Sequence, residues 1–350
     1  MTDMHDIASA AASPVLGVPL SVLDVAPVSS DRSPVEALAD STELVQEAER
    51  LGYHRLWYAE HHNMPGIASS APDVLIANAG ARTSRIRLGS GGVMLPNHAP
   101  LVVAERFGTL EALFPGRIDL GIGRAPGTDQ RTAAALRRLG ANDDLPELLH
   151  ELYGFFEGFA AGEDYRGIRA IPGFGADMPA IWLLGSSGFS AQVAGALGLP
   201  FAFAHHFSAH NTVPALDLYR ESFRPSAVLE KPYPLVTAMV VCAPDDDEAR
   251  LLGSAIALSF ARMRSGYPPA RLPTVEDIQA HDWTPQERAF ADGWLAPQAI
   301  GSPETVKRRI TELLAETGAV EFMATTNAPS AAARTRSYRL LAELAQLPPG

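Results

Sequence analysis

Four stretches of this 350-residue chain gather residue types that could do chemistry. The first set is histidine-rich. Glu60-His61-His62, His98, and His205, His206 and His210 hold six of the ten histidines, each set just beyond an apolar β-type run. Imidazole titrates near neutrality, so a histidine there suits a general base or a hydrogen-bond partner. A metal centre on a strand asks for His-x-His, because alternate side chains share a face. Here the pairs are adjacent, and no lysine follows a strand to bridge two metals. The spacing therefore argues against a catalytic metal.

The second stretch, GIGRAPG (121–127), spells a loose dinucleotide fingerprint. That fingerprint also needs a second strand ending in an acid about 20 residues on. Asp143 and Asp144 stand at that distance, but the residues around them have helical periodicity. What remains is a glycine turn carrying Arg124, either to a site or merely to the surface. The third stretch, LLGSSGFSAQVAGALGLP (183–200), reads as strand, turn and helix, with Ser186 and Ser187 at the N-cap and Ser190 one turn inside. Free N–H groups and the helix dipole favour an anion there, and Arg124 nearby points to an organic phosphate rather than an ordinary serine cap. The fourth is GSGGVMLP (89–96), where a strand ends in bare backbone at Gly91-Gly92. Either this is a simple turn, or it is a flat wall that a planar ring can approach closely.

The elements that position these residues alternate along the chain. Strands are expected at 15–23, 55–59, 86–90, 117–122, 180–185, 201–205, 235–242 and 320–325, with amphipathic helices between them. One helix, following Ser33, has that residue as N-cap, Pro34 at its first position and Gly52 as its stop. Eight short, doubly apolar strands alternating with helices most simply close as a (β/α)8 TIM barrel with insertions; an open doubly wound sheet is the rival. In a barrel the four chemical stretches share the carboxyl-end rim. Residues 1–14 read as a flexible tail before one domain spanning 15–350. Within it, 158–179 reads as a Gly/Pro-rich excursion and 266–300 as a long loop of the lid type.

Composition narrows the function. The net charge of −12 offers no basic cluster for nucleic acid. No apolar run reaches the roughly 18 residues that span a bilayer. The start carries acids and lacks the basic and apolar regions of a signal peptide. A single cysteine, Cys242, makes a cytoplasmic location the default. Only two lysines, Lys231 and Lys307, are present, leaving little scope for Schiff-base chemistry.

Taken together, YAEHHNMPGIASSAPDVLIA, IRLGSGGVMLPNHAPLVVAERFGTLEALFPGRIDLGIGRAPGTD and LLGSSGFSAQVAGALGLPFAFAHHF resemble the bacterial luciferase-like flavin-dependent monooxygenases. The resemblance covers roughly residues 15–345 and is closest to a branch with oxygenases of aromatic polyketide biosynthesis, such as that of the mensacarcin pathway. It implies a barrel that binds reduced FMN, adds O2 at the flavin C4a carbon and uses the peroxide to hydroxylate or epoxidise a hydrophobic, aromatic polyketide-type metabolite. By position it makes His61 the catalytic base, flanked by Glu60 and His62. It sets Gly91-Gly92 against the ring as a non-prolyl cis peptide, puts Arg124, Ser186, Ser187 and Ser190 at the phosphate, and makes 266–300 the mobile lid. With no Rossmann module present to hold NADH, FMNH2 is expected from a separate NAD(P)H:flavin reductase, and the family habit is a homodimer. Gly123 stands where luciferases place a reactive cysteine, and Ser186 where they place a phosphate-site glutamate, so the likeness does not extend to light-emitting aldehyde oxidation. Other branches of the superfamily imply two alternatives: an F420-dependent hydride-transfer oxidoreductase and a non-catalytic flavin-binding protein.

Overall fold

The computed structural model describes residues 11–136, 144–176 and 178–350. Its strands are β1 (Leu20–Asp24), β2 (Arg55–Tyr58), β3 (Arg87–Ser90), β4 (Val93–Met94), β5 (Ile118–Gly123), β6 (Ala180–Gly185), β7 (Phe201–Ala204), β8 (Pro234–Cys242), β9 (Ala299–Gly301) and β10 (Glu321–Thr325). Eight of them pair in parallel in the order β1-β2-β3-β5-β6-β7-β8-β10, and β10 returns to β1. Closure is carried by Leu20 opposite Phe322 on one side of β10 and Leu235 opposite Glu321 on the other. The open-sheet alternative is thereby excluded, and the fold is the expected (β/α)8 barrel. β4 and β9 are short additions paired to β5 and β8.

Local chemistry explains the elements. In the helix Pro34–Arg50, Ser33 accepts from the Glu36 N–H while the Glu36 carboxylate accepts from the Ser33 N–H. That reciprocal pair satisfies two donors the helix would otherwise leave open. Gly52 follows at φ +81, a conformation that suits glycine. The first strand begins later than its apolar run, because Gly17 at φ +73 turns the chain and Pro19 precedes the ladder. The expected tail also ends before position 14. Ser13 is buried, and its hydroxyl donates to the Ala345 carbonyl, which ties the start of the barrel to its last helix. Residues 1–10 lie outside the described residues, as does Asp143; Asp144 caps the helix Leu145–Glu157 by accepting from the Glu147 N–H.

Between sheet and helices lies an apolar layer that includes Leu56, Leu88, Leu120, Phe107 and Tyr338. Each such fully buried side chain contributes about 1.5–3 kcal/mol. Inside the barrel, side chains from every second strand position stack in rows. On β2 and its exit the inward row climbs from Arg55 through Trp57 and Ala59 to His61. On β7 and its exit it runs through Ala202 and Ala204 to His206. The lower part of the barrel is filled by ions and aromatics, and the upper part opens.

The segment 266–300 is not the plain loop expected. It contains the helices Val275–Ala280 and Pro285–Leu295, each opened by a reciprocal cap, Thr274 with Asp277 and Thr284 with Glu287. Leu272 exchanges backbone hydrogen bonds with the loop after β1, donating to Val28 O and accepting from Ser30 N.

Candidate functional site

The carboxyl ends of the strands surround a cavity of about 1020 Å³, counting the part open to solvent. Its lining joins His61, Gly91, Gly92, Arg124, Ser186, Ser187 and Ser190, so seven of the nine residues singled out from sequence share one space. The rest of the wall is largely apolar, with Leu23, Trp57, Leu184 and Met323 below and Phe207 at the rim.

Bare backbone forms one side. The Gly91–Gly92 peptide bond is cis. A Cβ on Gly91 would stand 2.5 Å from Leu23 Cδ1, and one on Gly92 would stand 2.6 Å from the Gly121 carbonyl oxygen. Glycine is what these positions admit, and the wall there is main chain.

The opposite end suits an anion. Ser187 is the N-cap of the helix Gly188–Leu197, yet its side chain makes no capping hydrogen bond. Ser190 is buried inside the first turn, and Ser186 and Ser187 are exposed to the cavity mouth. The Arg124 guanidinium lies 4.4 Å over the Phe189 ring of the same helix start. A guanidinium, three hydroxyls and a helix N-terminus converge there, which is the chemistry of phosphate recognition.

The Glu60-His61-His62 triplet is divided by strand alternation. His61 lines the cavity, its backbone N–H bonded to Ser69 O and its buried Nδ1 without a hydrogen-bond partner among the described residues. Glu60 and His62, expected beside it as catalytic residues, do not line the cavity. The buried Glu60 carboxylate instead accepts from His62 Nε2 at 2.8 Å, His98 Nε2 at 2.9 Å and the Met94 N–H at 3.1 Å. Burial alone would raise its pKa, but the bonds from His98, His62 and Met94 prevail and lower it. Glu60 thus pins the exits of β2 and β3 from behind.

His205 and His206 are divided in the same way. His206 lines the cavity, while His205 faces outward, donating from Nε2 to Pro297 O at 3.1 Å and meeting Thr212 Oγ1 through Nδ1 at 2.8 Å. Burial holds both His61 and His206 down to about 4. The sequence-based expectation of a base titrating near neutrality is therefore corrected: at pH 7 both rings are neutral. His206, named among the rim histidines but given no role, joins Thr237 and Phe207 in the lining, and these two were not singled out, nor was Phe189 beneath Arg124. Counting inward positions from Ala202 would have found His206. The rim histidine His98 serves Glu60, and His210 is exposed. No residue of 266–300 is among those lining the cavity.

The luciferase-like monooxygenase profile matches residues 18–321. The chain is 49% identical over 326 residues to the YvbT protein of Bacillus subtilis, covering 93% of this chain and 96% of that one. It is 44% identical over 325 residues to a luciferase-like monooxygenase of Escherichia coli, covering 92% and 96% of the two chains. Among solved structures, apo-MsnO8 superposes with a TM-score of 0.85 at 38% identity, covering 95% of this chain and 99% of that one. With a matching barrel, a matching profile and full-length relatives, the chain belongs to the luciferase-like monooxygenase family and is a flavin-dependent monooxygenase.

Proposed function

We propose that the protein is the oxygenase of a two-component system that takes FMNH2 and O2 and hydroxylates or epoxidises a hydrophobic, aromatic polyketide-type metabolite. The observation that carries this reading is that one cavity is bordered both by a side-chain-free wall and by an anion-suited end. A flat ring bearing a phosphate tail fits that pairing. Arg124, Ser186, Ser187 and Ser190 would hold the phosphate, and Gly91 and Gly92 would support the ring. When bound, reduced FMN supplies the electrons that activate O2. The chain's own residues supply position, dryness and proton handling. Apolar walls built from Leu23, Trp57, Leu184 and Met323 keep water from the reacting centre. His61, a neutral imidazole in the cavity wall, can accept or donate a proton there. Segment 266–300, anchored at Leu272 and Pro297, would serve as the lid. The same reading makes the protein a cytoplasmic homodimer supplied with FMNH2 by a separate NAD(P)H:flavin reductase.

The test is direct. FMN should bind more tightly than riboflavin, and adding an aromatic polyketide to protein, reduced FMN and air should convert peroxide release into oxygenated product. His61→Ala should keep FMN affinity within about twofold and shift turnover back toward peroxide. Failure to take up FMN in either redox state, or product formed with reduced F420 and none with FMNH2 and O2, overturns the reading.

A further inference from the structure

The cavity contains a second imidazole whose hydrogen-bonding sense is fixed. His206 lies on β8 through two bonds to one acceptor: its backbone N–H and its Nδ1 meet the Thr237 carbonyl at 3.3 and 3.0 Å. A carbonyl only accepts, so the ring proton is on Nδ1. The neutral ring then has Nε2 as a bare acceptor. His61, in contrast, has no hydrogen-bond partner at Nδ1 among the described residues. Beside His206, the Phe207 ring lines the same cavity with 57% of its surface exposed, its centroid 4.2 Å from the imidazole. A large apolar ring left open at the edge of a cavity, next to a bare acceptor, suits a flat aromatic ligand surface with a donor at its rim.

We infer that His206 is a substrate-positioning residue whose Nε2 accepts a hydrogen bond from an aromatic hydroxyl, while the ring bearing that hydroxyl lies against Phe207. This deepens the oxygenase reading above and rests on it for the identity of the site. It selects phenols over their ethers and over plain hydrocarbons of the same shape. It also divides the labour of the two imidazoles: His206 holds the substrate in one orientation, and His61 remains able to move a proton.

The experiment compares 2-naphthol with 2-methoxynaphthalene, which keeps the ring system and removes the donor. Wild-type protein should bind the naphthol about three- to tenfold more tightly, the worth of one net hydrogen bond. His206→Phe should bind both alike, and His206→Gln, which restores an acceptor, should recover part of the preference. Histidine ¹⁵N resonances of the wild type give a readout independent of any variant's folding: the bare His206 nitrogen should move upfield when naphthol is added and stay in place with the ether. A preference absent from wild type, a preference that survives His206→Phe, or a His206 resonance that ignores naphthol overturns the inference. FMN affinity measured on the same samples separates the two readings, since His206→Phe should leave it within about twofold. Loss of FMN binding in wild type would fault the oxygenase reading, whatever the naphthol result.

Discussion

The two ends of the barrel interior are built from opposite materials. At the lower end Arg55 is fully buried between Asp119 and Glu321, each at 2.7 Å, and Arg87 reaches Asp119 at 2.6 Å. Trp57 Nε1 donates to the same Asp119 at 2.9 Å, and the Tyr233 hydroxyl donates to Glu321 at 2.9 Å. Burial alone would raise Asp119, but Arg55 and Arg87 hold it down to about 2. At the upper end, the same inward rows present glycine, alanine, leucine and two neutral imidazoles. Where charge is paired within the protein, nothing is left to bind. Where side chains are removed or kept neutral, the surface is complete only with a ligand. The difference teaches which end is scaffold and which is site, from burial and pairing alone.

The largest effect should come from breaking the lower end. Arg55→Met leaves Asp119 with Arg87 but strips Glu321 of its guanidinium, leaving that buried carboxylate only the Tyr233 and Ser21 hydroxyls among the described residues, and stability should fall by about 3–5 kcal/mol, read by urea denaturation. Whatever protein remains folded should bind FMN as before; weaker FMN binding in that folded fraction would erase the distinction between the ends. Next, Arg124→Ala acts at the upper end alone. It should weaken FMN by about 1.5–3 kcal/mol, leave riboflavin nearly untouched and spare stability, as titration calorimetry and denaturation can show together. Equal losses for both flavins would remove Arg124 from the phosphate.

A third test sharpens the contrast by pH. His61 and His206 sit at about 4 when folded, below the ordinary 6.5, because burial opposes their charge. The unfolded chain therefore binds more protons between those values, and stability is lost as pH falls from 6.5 toward 4, by at most about 1.4 kcal/mol per pH unit for each ring. Asp119 has the opposite shift: its contribution is full above its ordinary value of 3.8 and lost only as pH falls through about 2. His54, beside Arg55, is also held down to about 4 by burial and shares this window. The double variant His61→Gln, His206→Gln should therefore lessen the slope between pH 6.5 and 4 without abolishing it, and leave the more acidic transition in place.

Much of this architecture was legible in the chain. Each barrel strand lies within or beside its apolar run, and the glycine, serine and arginine positions converge because strand-helix alternation fixes which ends meet. Closure was not legible, since the β8–β10 and β10–β1 pairings join residues whose partners no local pattern names. The helices inside 266–300 escaped because they are short and prolines punctuate the stretch, although T-x-x-D and T-x-x-E at Thr274 and Thr284 announced both starts. Glu60 and His62 were misplaced beside the reaction because adjacency in sequence was read as adjacency in space. The alternation that sends His61 inward sends its neighbours into the Glu60 cluster.

Doubling the imidazole at two strand exits has a consequence for how such a chain tolerates change. If one residue were gained or lost just before His61-His62 or His205-His206, the neighbouring ring would rotate inward and the reactive face would still meet an imidazole. The ring rotated in, His62 or His205, would leave Glu60 or Pro297 without its hydrogen bond. Damage from small insertions at these two exits should therefore be felt as a loosened rim before it is felt as missing chemistry.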